Sequence, residues 1–349
     1  MPGGEHHHMG IGRWRAAGTV VAMVSDHRSR LRVPTGALGA GGPVVSRIGL
    51  GLAALGRPAY ITSGREEDLP DRSVAGMRTR TFLMLDAAYA AGVRYLDAAR
   101  SYGRAEEFLA GWLAERGHAD VIVGSKWGYR YTGDWRLDAP VQEVKEHSLA
   151  KFTTQLAESR ALLGDRITLY QVHSLTVDDG LFTDAALLAA LSRLRAEGVI
   201  IGLSATGPHQ ADAIRRALPV TVDGKQLFTA TEVTWNLLEP SVGPAAAEAA
   251  AAGWAVLVKE AVANGRLTAA GGPPARLTAL AAARGVTEDA IALAAALAQP
   301  WASVVLSGAV TRAQLEENLA ALTVGRLPAL SLAEAPGAYW AQRAARPWR

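Results

Sequence analysis

From Val44 onward, short runs of apolar and β-branched residues alternate with longer stretches whose apolar positions recur every three or four residues. The short runs read as strands: VVSRIGLGL, VRYLDA, DVIVGSK, ITLYQVH, VIIGLSA, FTATEVTW, WAVLVKE and ASVVLSG. Between them lie helical patterns: MRTRTFLMLDAAYAAG, AEEFLAGWLAERG, EHSLAKFTTQLAESRALLG, DAALLAALSRLRAEG, HQADAIRRALP, SVGPAAAEAAAAG, VTEDAIALAAALAQP and TRAQLEENLAAL. Most of these helices end in Gly or Pro, which stop a helix. Eight strands alternating with eight helices predict parallel β–α–β units. The expected fold class is α/β, a closed (β/α)8 TIM barrel in a single domain, with an open doubly wound sheet as the alternative. Residues 1–42, Gly-rich and without periodicity, read as a disordered leader, or as an over-long start with Met23 as the true one. Residues 43–330 read as the catalytic barrel and 331–349 as a C-terminal tail.

Composition narrows the chemistry. The 349 residues include no cysteine, which excludes disulfides, thiolate metal sites and cysteine nucleophiles and fits a reducing, cytoplasmic location. Net charge is +3, and the one dense basic stretch, HRSRLR (27–32), lies in the expected leader, so no nucleic-acid footprint is read. The most apolar windows are broken by a charge before reaching the roughly 18 residues of a membrane span. RWRAAGTVVAMV imitates a signal peptide but lacks a small-x-small exit. His6, His7 and His8 suit only adventitious metal, and no metal site is expected.

Candidate chemistry gathers at predicted strand ends, where barrels place their active sites. The stretch YLDAARSYG ends a strand in Asp97 and sets Tyr102 five positions on, directly before Gly103. The third strand ends in Ser125-Lys126, the fourth in His173, the fifth in Ser204 and the sixth in Glu232 to Asn236. Each residue has an ordinary reading: a helix cap, a turn aromatic, a solvated strand end, a structural histidine. Together they suit proton transfer. A free phenol has a pKa of about 10, a nearby ammonium lowers it, a carboxylate keeps the ammonium charged, and a histidine can orient a carbonyl. Near the end, SGAVTRAQLEEN makes a small-residue turn and opens a helix at Thr311, a place where phosphate is attracted. GLGLAALG contains G-x-G-x-x-A (Gly49, Gly51, Ala54), but no helix follows, so a Rossmann site is rejected.

The chain resembles an aldo-keto reductase. RIGLGLAALG, YLDAARSYG, VIVGSK, LYQVH, VTWNLL and VLSGAVTRAQLEENLAAL carry the likeness, from about residue 45 to 325. The resemblance implies Tyr102 as general acid/base, Asp97 and Lys126 as its tuning pair, and His173 as the residue that orients substrate. It implies NADP(H), with NAD(H) possible: Ser307 and Gly308 forming the turn, Thr311 and Arg312 meeting the 2′-phosphate, and Gln314, Glu317 and Asn318 lining the adenine. Gly51 would let backbone approach the cofactor, and Trp235 would stack on the nicotinamide. Pocket walls are expected from Arg57 to Tyr60, from Trp127, Tyr129 and Trp135, and from the loop after His173.

Three positions depart from the family pattern. Ser204 is followed by Ala where asparagine is usual, Glu232 stands for glutamine, and Glu260-Ala261-Val262 replaces Ser-Pro-Leu. Glu232 can accept from a carboxamide but, ionised, cannot donate. Glu260 would repel a pyrophosphate unless Lys259 or the loop compensates. The function expected is reduction or oxidation of a small carbonyl or alcohol substrate. The alternatives are a nucleotide-binding regulatory subunit of reductase fold and a lyase using Lys126 as a Schiff base.

Overall fold

The computed structural model describes residues 33–62 and 65–348. Strands β1 (Thr35–Ala37) and β2 (Val44–Ser46) form an antiparallel hairpin ahead of β3 (Ile48–Gly51). Next come α1 (Arg65–Asp68), α2 (Val74–Ala90), β4 (Tyr95–Asp97), α3 (Ala105–Arg116), β5 (Ile122–Trp127), and a second hairpin of β6 (Tyr129–Tyr131) and β7 (Glu143–Lys145). They are followed by α4 (Leu149–Leu163), β8 (Ile167–Leu175), α5 (Ala185–Ala196), β9 (Ile200–Ala205), α6 (Gln210–Ala217) and a small hairpin, β10 (Thr221–Val222) with β11 (Lys225–Gln226). The chain continues through β12 (Ala230–Thr234), α7 (Gly243–Ala251), β13 (Ala255–Lys259), α8 (Ala275–Arg284), α9 (Glu288–Leu297), β14 (Val304–Ser307), α10 (Arg312–Leu319) and α11 (Pro336–Ala344).

Strands β3, β4, β5, β8, β9, β12, β13 and β14 close into one parallel barrel, β14 pairing with β3 to complete the ring. These are the eight strands expected from the sequence. Both faces are covered, so β12 (ATEVT) and β14 (VVLS) are buried at every residue, which is why neither shows a solvent-facing polar alternation. Helix limits follow local chemistry: Ser73 caps α2, Asp184 caps α5, and Gly117 and Gly285 end α3 and α8 in the left-handed region. No helix among the described residues is long and apolar enough to cross a membrane.

Three expectations need correction. The run VVSRIGLGL is two strands, because the Arg47 N–H bonds Pro34 O at 2.7 Å and its guanidinium reaches the carbonyls of Leu297 and Ala302. The expected leader does not extend to 42: residues from Val33 belong to the barrel. The β1–β2 hairpin closes the amino-terminal end, with Leu38 buried against Val45, Tyr95, Leu257 and Val304. Gly39 sits at φ 75°, where a Cβ would meet Ala255 N at 2.8 Å, so no other residue fits that approach. The part of the expected leader before Val33, with its His run, its basic stretch and Met23, lies outside the described residues. The tail after 330 is also structured: α11 buries Tyr339 and Trp340. Segment α8 was not anticipated.

Leu38→Ala removes a fully packed side chain from the barrel floor. It should cost about 3 kcal/mol in urea unfolding, whereas no cost would be expected were residues 33–42 an unstructured leader.

Candidate active site

Asp97 closes β4, Lys126 is the penultimate residue of β5, and His173 lies near the end of β8. Tyr102 stands in the turn before α3, where its N–H bonds Ala99 O at 3.0 Å and Arg104 N–H bonds Gly56 O at 2.7 Å. Gly103 permits the turn at φ 60°, since a Cβ would press on Gly56 O. Lys126 Nζ, completely buried, forms ion pairs with Asp97 Oδ2 and, at 3.1 Å, with Glu232 Oε2 of β12. The ammonium lies 5.2 Å from the Tyr102 ring centre. The Tyr102 and His173 rings meet edge to face at 5.4 Å, and Ser101 Oγ lies 3.3 Å from His173 Nδ1. The four expected catalytic side chains therefore meet.

A second layer holds them. Buried Glu106 of α3 accepts from Ser125 Oγ at 2.5 Å and Ser159 Oγ at 2.8 Å, and pairs with Arg100, fixing the end of β5. The His147 ring bridges Asp179, at 2.7 Å, and the carbonyl of His173, at 2.9 Å. Ser204 Oγ accepts the Ser174 N–H at 2.8 Å, at a residue with φ 53°. These contacts hold the backbone on which His173 is mounted.

Burial and charge set the protonation states. Burial raises Asp97 to about 7, reinforced by Glu232 and opposed by Lys126. Burial works against the charge on Lys126, but Asp97 and Glu232 outweigh it and hold the ammonium well above its ordinary value. Burial, then Lys126, Arg57 and Lys259, push His173 well below its ordinary value, so its ring is neutral. The expectation that a nearby amine brings the phenol down is not met: burial lifts Tyr102 well above 10, and Lys126 only opposes the rise.

A cavity of about 580 Å³ opens over these groups. Asp97, Tyr102, His173 and Glu232 line one end, and Ser307, Gly308, Gln314, Glu317 and Asn318 line the other, with Gly51, Lys259, Glu260 and Val262 also on its wall. Tyr60 and Tyr129 line it as expected. Six expected contacts fail. Trp127 is wholly buried against Phe152 at 5.0 Å, on the opposite face of β5 from Lys126. Trp135 bonds Arg72 O through Nε1 at 2.7 Å and faces Phe108. Trp235 packs edge to face on Trp301 at 6.1 Å, away from the cavity, so it offers no face to a nicotinamide. Ser204 is engaged with Ser174 and does not line the wall. At the far end, Thr311 caps α10, and Arg312 points to solvent, pairing with Glu316 at 2.9 Å. Neither lines the cavity.

Arg57, expected on the wall, is joined there by Arg343 and Trp348, which were not foreseen. Arg57 pairs with Glu143 at 2.7 Å, lies 5.0 Å over the Tyr102 ring and packs 4.7 Å from the Trp348 ring. Arg343 of α11 grips Glu260, with Nε 2.8 Å from Oε2. Burial would raise Glu260, but Arg343 and Lys259 hold it down at about 2. The feared repulsion at Glu260 is thus neutralised from the C-terminal helix, whose Arg had no signature in the sequence. The cavity fits a nicotinamide dinucleotide: its path is open at Gly308, where a Cβ would have no atom within 4 Å, and Glu232 offers a carboxamide an acceptor.

The profile of the Aldo/keto reductase family matches residues 47–336, and the chain belongs to that family. Among curated proteins it is 28% identical over 192 residues to a D-threo-aldose 1-dehydrogenase of a Pseudomonas species, covering 50% of this chain and 56% of that protein. It is 31% identical over 144 residues to the oxidoreductase YqkF of Bacillus subtilis, covering 39% of this chain and 44% of YqkF. The matched segments thus span about half the length of these relatives. Among solved structures, Pseudomonas aeruginosa PA4992 shares the fold with a TM-score of 0.63 at 24% identity, over 86% of this chain and 98% of that one. The holo form of the Bacillus halodurans aldo-keto reductase AKR11C1 gives 0.62 at 20%, over 89% and 96%.

Arg343→Ala leaves the buried Glu260 carboxylate without its main partner and should cost about 2 kcal/mol at pH 7. Because Glu260 is depressed in the fold, its contribution is present above its ordinary pKa of 4.5 and is lost as pH falls toward about 2. The difference between wild type and variant in thermal unfolding should therefore shrink from pH 7 to pH 3.

Proposed function

We propose that the protein is a nicotinamide-dependent oxidoreductase that interconverts an aldehyde, ketone or sugar carbonyl with its alcohol. The observation that carries this reading is the meeting of Tyr102, Asp97 and His173 at one cavity end, with Lys126 held charged beneath them. When bound, the nicotinamide supplies or accepts the hydride. Tyr102 gives a proton to the carbonyl oxygen in reduction and takes it back in oxidation. Burial disfavours the phenolate left behind, so the Lys126 ammonium is the charge that makes the transfer accessible. Asp97 and Glu232 keep that ammonium protonated. Ser101 Oγ lies 3.3 Å from Nδ1 of neutral His173, and in the tautomer where Ser101 donates to Nδ1 the ring proton sits on Nε2, free to donate to the substrate oxygen.

The likeness to D-threo-aldose 1-dehydrogenase supports a sugar or polyol as substrate. The polar and aromatic wall of Arg57, Tyr60, Tyr129 and Glu143 suits such a ring. A Schiff-base lyase is disfavoured, because Lys126 is wholly buried and holds its proton between two acids, leaving no lone pair for a carbonyl.

Steady-state oxidation or reduction of nicotinamide dinucleotides with aldehydes, ketones and sugars tests the proposal. Tight dinucleotide binding with no turnover on any of them would instead support a regulatory subunit. Tyr102→Phe should lower kcat at least about 100-fold while dinucleotide binding is retained. Glu232→Gln removes one acid that raises Tyr102, so the alkaline limb of the kcat/KM profile should move to lower pH.

A further inference from the structure

The far end of the cavity has the wrong electrostatics for a second phosphate. A 2′-phosphate would look to the amino terminus of α10, and the N–H groups of Val310, Thr311 and Gln314 there already have partners. Gln314 Oε1 accepts the N–H groups of Val310, at 2.9 Å, and Thr311, at 3.3 Å. Thr311 Oγ1 accepts the Gln314 N–H at 3.2 Å, closing a capping box. The outward face of Gln314 is occupied by an acid: its Nε2 donates to Asp68 Oδ2 at 2.6 Å. A carboxylate thus stands against the helix end that would attract an anion. Arg312, the guanidinium the sequence offers to a phosphate, has a side chain 81% exposed and turned to Glu316.

The wall carries the same sign. Glu67, Asp68, Asp289 and Glu317 all line this part of the cavity. The basic side chains on the wall among the described residues have partners elsewhere: Arg57 with Glu143, Arg343 with Glu260, Lys259 with Thr234, and Arg346 with the carbonyls of Ile61 and Asn264. After burial, the influences that raise Glu317 are all carboxylates: Asp289, Asp68 and Glu316.

We infer that this cavity selects NAD(H) over NADP(H), with Asp68 and Glu317 as the residues that discriminate. The inference rests on the dinucleotide-dependent function proposed above. A ribose 2′-hydroxyl is a donor that a carboxylate accepts, whereas a 2′-phosphate brings roughly 1.5 to 2 negative charges into a wall of acids. Discrimination by an unfavourable contact needs no loss of affinity for the accepted ligand.

Calorimetric titration of the full chain with NAD+ and with NADP+ reads the ratio without turnover. NAD+ should bind at least about ten-fold more tightly at low salt. The ratio should narrow as salt rises from roughly 0.05 to 0.5 M, since the repulsion is screened. An Asp68→Asn, Glu317→Gln double variant should close most of the gap by strengthening NADP+, with its fold checked by circular dichroism. If that variant does not fold, competition by AMP against 2′-phosphorylated AMP on the wild type decides the same question. Equal or tighter binding of NADP+, or a ratio indifferent to both salt and substitution, overturns this inference and leaves the proposed function standing. Binding of neither dinucleotide overturns both.

Discussion

The site depends on one buried ammonium shared by two carboxylates. Lys126 is wholly buried, and Asp97 and Glu232 are almost so. Asp97 and Lys126 lie on neighbouring strands, but Glu232 reaches from β12, with β8 and β9 between it and β5. The cluster is therefore a strut across the barrel interior that sets the Lys126 ammonium 5.2 Å from the Tyr102 ring centre. Removing either acid would leave Lys126 with a single partner, and removing the lysine would leave two buried acids facing each other without a cation. With two acids and one ammonium, the group carries one excess negative charge when ionised, so Glu232 reinforces the burial that raises Asp97 to about 7 while Lys126 opposes it. The same arrangement forces Lys126 to stay charged.

That strut also explains the departures from the family pattern. Glu232 and Glu260 look like two acids inserted into a site built for anions. In the structure each is bound to a cation, Glu232 to Lys126 and Glu260 to Arg343. The second pairing ties α11 to the mouth, so the C-terminal segment supplies Arg343 and Trp348 to the wall. Glu260 takes a left-handed backbone at φ 57°, and Asn264, at φ 54°, follows in the same loop. The chain holds this loop in a conformation glycine would adopt more easily, and the Arg343 grip and the Asn264 carbonyl contact to Arg346 offset that cost.

The meeting of Asp97, Lys126 and His173 was legible because each lies at or near the end of a short apolar run, and strand ends in a barrel share one face, with Tyr102 in the turn that follows Asp97. The tryptophans were misread for a reason the sequence also contains. Side chains alternate across a strand, so once Lys126 points inward, Trp127 must point outward to the helices, where Phe152 meets it. By the same count Glu232 points inward and Trp235 outward, toward Trp301. Period two would have excluded both. Other features depend on contacts far apart in the chain, which no local pattern encodes. Arg343 reaches back 83 residues to Glu260, and Gln314 reaches 246 residues to Asp68. The hairpin at the barrel floor escaped notice because three-residue strands carry too few positions to establish a period.

The cavity consequently has two electrostatic regimes. At the chemical end every acid on the wall stands beside a cation: Asp97 and Glu232 share Lys126, Glu143 pairs with Arg57, and Glu260 pairs with Arg343. At the nucleotide end, acids meet amides and one another. Under the proposed function, the first regime would let charge develop on a phenol inside a buried site, because a fixed ammonium is already there and no solvent must reorganise to supply one. The second cannot serve that purpose, and it makes no contact with the reacting groups. Its effect falls on what may enter, and a ligand spanning both ends must satisfy an ammonium-centred site and a carboxylate-lined one with a single molecule.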